Sequence, residues 1–223
     1  IPSTIVDDAG IVQENDALIF FNFREDSMRQ LAEVFVDKDF NIFDKKRLNN
    51  LYVASLIQYL ESPNLHVAFP IPEIKNGLAE VLSKNNKNQY HIAETEKYAH
   101  VTYFFNCFKN TPFDGETDLL CESPKNPKEN PEMKAAEITE KILSEIDRYD
   151  FFVVNFANGD TLSHFGNLEV AVRGIEAIDE SLGKIKSAVL EKGGTLIVTA
   201  DHGNAESLIY KSSGESETKH NDN

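Results

Sequence analysis

Cysteine is scarce in this chain. Its 223 residues include two, Cys107 and Cys121. They stand far apart and fit no zinc-ligand spacing, so buried or incidental thiols in a reducing cytoplasm are the expectation. Positive charge is scarce as well. Lysine and arginine number 22 against 37 aspartates and glutamates, a net charge of −15. That balance argues against nucleic acid or an anionic membrane as partner. No apolar run approaches the roughly 18–20 residues of a membrane span. No basic-apolar signal segment is seen at the start. A Gly-rich phosphate loop of the Walker or Rossmann kind is missing, and so is any internal repeat. What remains is ordinary globular material, 41% hydrophobic and 26% charged, enough for one large domain or two small ones.

Apolar runs of strand length alternate with helical patterns. Ala17–Phe23 and Leu51–Ile57 read as buried strands, and Asp26–Val36 as a helix. Pro63, Pro70 and Pro72 punctuate a connecting stretch, with Ile71 restricted on both sides. A domain boundary is therefore expected near residue 72. Beyond it, Ile74–Leu82 reads as a helix, Gln89–Ala93 as a short strand and Met133–Ile146 as an amphipathic helix. The longest helix is expected over Leu168–Glu191. Its residues Leu168, Val172, Ile175, Ile178, Leu182, Ile185 and Val189 recur every three or four positions as one stripe. Gly193-Gly194 ends it. The helix then links strand Phe151–Phe156 to strand Thr195–Thr199 as a βαβ crossover, which brings two strand ends to one sheet edge.

Chemistry concentrates at those two ends, where open α/β sheets bind ligands. After the second strand comes Ala200-Asp201-His202-Gly203-Asn204. A carboxylate oxygen and a neutral imidazole nitrogen form a ligand set for a divalent transition metal. A plain turn accounts for the pair equally well. After the first strand, Asp160 and His164 stand four apart, on one face if the stretch is helical. A surface Asp–His pair is the bland alternative there. His220, in a polar tail, reads by itself as a solvated residue. His66, His91 and His100 read as structural.

At this point a resemblance enters. Val154-Asn155-Phe156-Ala157-Asn158-Gly159-Asp160 with His164 and Gly166-Asn167-Leu168-Glu169, then Thr199-Ala200-Asp201-His202-Gly203-Asn204-Ala205-Glu206, resemble the cofactor-independent phosphoglycerate mutases. Ala93-Glu94-Thr95-Glu96-Lys97-Tyr98-Ala99-His100-Val101-Thr102 and Phe20-Phe21-Asn22-Phe23-Arg24 match the same pattern in the same order. Asp-His-Gly-Asn alone points only to the wider alkaline-phosphatase-like superfamily.

The resemblance implies a three-layer α/β/α parallel-sheet, phosphatase-like domain over residues 73–223, incomplete. It also implies the C-terminal part of an α/β transferase domain, which cradles substrate, over residues 1–72. The chain resembles only the C-terminal portion of the family, so it reads as a fragment without the serine nucleophile, and no catalytic residue is identified in it. The implied reaction interconverts 3-phosphoglycerate and 2-phosphoglycerate through a phosphoserine, in glycolysis and gluconeogenesis, without 2,3-bisphosphoglycerate. Two divalent ions are implied, manganese being the expected one. Asp160, His164 and His220 would hold one; Asp201 and His202 would help hold the other. Arg24 and Lys97 would contact substrate, although an arginine near Glu25 and Asp26, or a lysine beside glutamates, also fits an ion pair. Ser27 replaces the family's second arginine. The full-length enzyme is expected to be a cytoplasmic monomer. The alternatives are a non-catalytic metal-binding fragment, or another phosphomutase or phosphatase of the superfamily.

Overall fold

A computed structural model describes residues 10–25, 28–210 and 213–220. The chain divides into two compact units, Ile1–Glu73 and Ile74–Asn223. Each contains a three-stranded parallel sheet.

The first unit holds β1 (Ala17–Phe20), α1 (Arg29–Val36), β2 (Tyr52–Ile57) and β3 (His66–Phe69), in sheet order β1-β2-β3. Val36, Val53 and Leu65 form one buried cluster, and Met28, Ala32 and Tyr59 another. The Tyr59 hydroxyl donates to the Asn22 carbonyl at 2.6 Å and accepts from the Asn22 amide at 3.2 Å. That clamp fixes the backbone entering the Arg24 loop. β3 lies in the stretch read from its prolines as a connection. Pro70 ends it, and no proline falls within it.

The second unit runs α2 (Leu78–Lys84), β4 (Gln89–Glu94), β5 (Glu116–Cys121), α3 (Ala135–Glu145), β6 (Phe151–Asn155), α4 (Asn158–Ser163) and α5 (Leu168–Glu191). Its sheet order is β5-β4-β6. Between β4 and β5 lie a 3-10 turn, Thr95–Lys97, and a π-helical turn, His100–Phe104. β4 is central, and all its residues are buried. Tyr90 and Ile92 face a core of Cys121, Ile138, Ile142 and Ile185, supplied by β5, α3 and α5. Gln89 and His91 face the other way. The Gln89 amide donates to the Ala79 carbonyl of α2 at 2.9 Å, and the His91 ring meets Phe105 edge-on at 5.3 Å.

The long helix follows its apolar stripe and begins with an Asn167 side-chain cap on the Val170 amide. It closes on α4 through Gly174. A Cβ there would stand 2.2 Å from Leu162 Cδ1, so any larger residue would force the buried Leu162 side chain to move.

One expectation fails. Thr195–Thr199 forms no strand, and Ile197 and Val198 are 82% and 63% exposed. A buried parallel strand needs ladder partners along its edges. β6 ends the sheet, and among the described residues nothing pairs with this segment. The expected βαβ crossover therefore stops at the end of α5.

Candidate metal centre

Parallel pairing of β4 with β6, Ala93 opposite Asn155, brings the two strand ends side by side. β4 runs into the turn carrying Lys97, and β6 into α4. Within α4, Asp160 and the helix-capping His164 are one turn apart, so both side chains share a face. His164 Nε2 lies 3.2 Å from Asp160 Oδ1.

His220 joins them from far along the chain. A bridge between Ile209 and Ser216 folds the tail back, and Ser216 Oγ donates to the Gly166 carbonyl at 3.0 Å. Gly166 has φ +59°, and a Cβ there would meet Ser216 Cβ at 2.7 Å. This contact delivers His220 Nε2 to 3.0 Å from Asp160 Oδ1 and 3.2 Å from His164 Nε2.

The tautomer of His164 follows from its other nitrogen. Nδ1 lies 2.7 Å from the Thr218 carbonyl, which can only accept. Nδ1 therefore carries a hydrogen, and in the neutral ring the lone pair that a metal would take is on Nε2. One carboxylate oxygen and two imidazole nitrogens converge within 4.8 Å of one another. Metal–ligand bonds of about 2.0–2.2 Å place ligand atoms roughly 3–3.5 Å apart. The donor set and its spacing fit a divalent transition ion.

Lys97 is almost fully buried here. Its Nζ stands 2.8 Å from Asp160 Oδ2 and 3.5 Å from Asp201 Oδ2, bridging the two carboxylates. Asn204 Nδ2 donates to Asp160 Oδ1 at 2.9 Å. Burial pushes the Asp160 carboxyl up, but the Lys97 and Asn204 hydrogen bonds and the nearby charges outweigh it and hold the group well below the usual carboxylate range. Asp201 is lowered too: burial again opposes, and the charges of Lys97 and His202 prevail.

His202 stacks on His220, ring centres 3.7 Å apart, and its Nε2 lies 3.5 Å from Asp201 Oδ2. Asp201 and His202 thus adjoin the three-ligand group without completing a second one among the described residues. Arg24 is exposed in the first unit. Arg29 pairs with Glu25 at 3.3 Å and donates to the Tyr59 carbonyl at 3.2 Å. Ser27 lies outside the described residues. Nothing in the sequence signals a role for Asn204 or for Asn158 beyond a place in the motifs. The latter donates to the Pro131 and Glu132 carbonyls at 2.9 Å, tying α4 to the loop before α3.

The metalloenzyme superfamily model matches residues 4–223. A 2,3-bisphosphoglycerate-independent phosphoglycerate mutase 1 of Methanosarcina barkeri is 44% identical over 230 residues, covering 100% of this chain and 44% of the relative. The corresponding mutase of Clostridioides difficile is 42% identical, covering 100% of this chain and 45% of the relative. A crystal structure of Leishmania mexicana phosphoglycerate mutase, at low cobalt concentration, aligns with a TM-score of 0.84 at 33% identity, over 97% of this chain and 43% of that one. The chain spans less than half the length of these relatives. It belongs to the metalloenzyme superfamily, and its full length is homologous to the 2,3-bisphosphoglycerate-independent phosphoglycerate mutases.

Proposed function

We propose that this chain is the metal-binding portion of an enzyme that interconverts 3-phosphoglycerate and 2-phosphoglycerate through a phosphoserine. The carrying observation is the convergence of His164 Nε2, His220 Nε2 and Asp160 Oδ1 at spacings that suit a divalent ion. Full-length similarity to the phosphoglycerate mutases supports the reading.

In this reading Asp160, His164 and His220 hold one ion. Asp201 and His202 contribute to a second, completed by residues in a polypeptide of the relatives' length. Manganese suits the mixed oxygen and nitrogen ligands, and 2,3-bisphosphoglycerate is not required. Bound divalent ions supply positive charge for phosphoryl oxygens and lower the pKa of a serine nucleophile.

The chain's own residues prepare that environment. The Thr218 carbonyl holds the His164 tautomer that leaves Nε2 free to ligate. Lys97 keeps Asp160 and Asp201 ionised, the form a metal needs. It adds a positive charge beside the phosphoryl group, and Arg24 would offer a planar fork to substrate phosphate or carboxylate. These cations matter in a chain of net charge −15. Residues 1–72 would belong to the substrate-cradling transferase domain, and 73–223 to the phosphatase-like domain. Additional strands of the longer protein would pair with Thr195–Thr199. The whole enzyme is proposed to work as a cytoplasmic monomer in glycolysis.

An enolase-coupled assay tests the proposal. A polypeptide of the relatives' length should turn over 3-phosphoglycerate with manganese and stop with a chelator. The 223-residue chain alone should be inactive, because no serine nucleophile is identified in it. Metal-independent turnover by the longer protein would refute the proposal. Robust turnover by the 223-residue chain would refute its being a nucleophile-free portion.

A further inference from the structure

β4 and β5 carry a second group of metal-type ligands, inside the sheet rather than at its strand ends. Register pairs His91 with Asp118, and Glu116, two residues earlier on β5, projects on the same face. The side chains of His91 and Glu116 are fully buried, and that of Asp118 is 13% exposed. His91 Nδ1 lies 3.2 Å from Glu116 Oε1 and 3.5 Å from Asp118 Oδ1. Despite that proximity, neither ring nitrogen of His91 has an aligned hydrogen-bond partner among the described residues, nor does Asp118 Oδ1. Buried polar atoms left this way are rare in folded proteins.

The geometry points to a divalent-cation site formed by His91, Glu116 and Asp118, suited to zinc or a related first-row transition ion. Tetrahedral bonds of about 2.0–2.2 Å separate ligand atoms by roughly 3.4 Å. The spacings around Nδ1 bracket that value, and the three ligand atoms lie within 4.8 Å of one another. One imidazole and two carboxylates are a borderline-to-hard set that takes zinc or manganese.

Charge favours an ion here. A neutral imidazole with two carboxylates would bury two negative charges, which a divalent cation cancels. Glu116 is already oriented. The Asn106 amide donates to its Oε1 at 2.5 Å and the Phe113 backbone amide to its Oε2 at 2.8 Å. Phe105 packs edge-on against the His91 ring and fixes its place. β5 is an edge strand, and the partial exposure of Asp118 gives an ion a way in. Occupancy would pin β4 to β5 just before the turn that carries Lys97.

The test separates this site from the strand-end centre. A triple His164→Ala, His202→Ala, His220→Ala variant of the 223-residue chain is dialysed against zinc chloride. It should retain one zinc, and adding Asp118→Asn should weaken binding at least tenfold, with folding checked by circular dichroism. Independently, anomalous diffraction at the zinc edge from soaked crystals of the unmodified chain should give a peak between His91, Glu116 and Asp118. No zinc in the triple variant, undiminished binding after Asp118→Asn, or no peak would each overturn the proposal. If Asp118→Asn does not fold, the anomalous map decides alone.

Discussion

Among the described residues the second unit holds two groups of imidazole and carboxylate, and they behave oppositely. At the strand ends, Asp160 gathers His164 and His220, and Lys97 is wedged between Asp160 and Asp201. Inside the sheet, Glu116 and Asp118 share His91, and no lysine or arginine pairs with either among the described residues. The ligand types are alike. What differs is a built-in cation. With Lys97 in contact, Asp160 is held ionised in spite of burial. Without such a lysine, burial and its like-charged neighbour drive Asp118 up to about 6. A resident ammonium group thus decides which carboxylate stays ionised down to low pH and which takes up a proton near pH 6.

The largest effect that breaks this contrast is on metal affinity. His164→Ala should weaken manganese binding in calorimetry by more than about 100-fold, above the 10–100-fold typical of groups that only orient a ligand. His202→Ala should cost less, because His202 sits in no three-ligand group among the described residues.

Next comes stability in chelator-treated protein. Asp160→Asn leaves the Lys97 ammonium short of its nearer partner and should destabilise the chain by about 3 kcal/mol at pH 7. Since the folded carboxyl titrates below its ordinary 3.8, its contribution is present above pH 3.8 and is lost as pH falls through the folded value. Asp118→Asn should act in the other direction. Its carboxyl is raised from 3.8 to about 6, so its favourable contribution exists below pH 3.8 and disappears as pH rises through 6. The variant should therefore gain Tm relative to the parent at pH 8, with little or no gain at pH 3.5. Melting curves at the two pH values check both signs; equal shifts at both would contradict the account.

A sharper test exchanges the cause. Lys97→Met should raise the Asp160 carboxyl toward the behaviour of Asp118, as read by carboxyl NMR titration. If Asp160 still titrates below its ordinary range, Asn204 rather than Lys97 holds it there. The smallest effect is expected from removing the ring stacked on His220. His202→Ala should lower metal-free stability by about 0.5–1.5 kcal/mol.

Much of the strand-end group was legible in the sequence. The i, i+4 spacing of Asp160 and His164 fixed their shared face, and the apolar stripe with Gly193-Gly194 gave α5 its observed bounds. His220 was reachable only through the family resemblance, because nothing local signals a tail folded back on Gly166. The buried group was invisible for a related reason. β5 begins Glu116-Thr117-Asp118, which reads as solvated surface, yet Glu116 and Asp118 point inward at His91. Alternation marks a strand only when the buried face is apolar. Thr195–Thr199 erred the other way: its composition is that of a strand, but a strand also requires a neighbour.

That unpaired segment has a consequence for handling the protein. Thr195–Thr199 carries no charge and no proline, is rich in β-branched residues, and displays Ile197 and Val198 to solvent. It is a template for adhesion between copies, of the kind that seeds cross-β association. Mutual repulsion at a net charge of −15 keeps molecules apart in dilute buffer. Added salt shortens the reach of that repulsion to about 3 Å at 1 M. Turbidity and thioflavin fluorescence of the 223-residue chain should therefore climb with ionic strength, and a single lysine at position 198 should delay both.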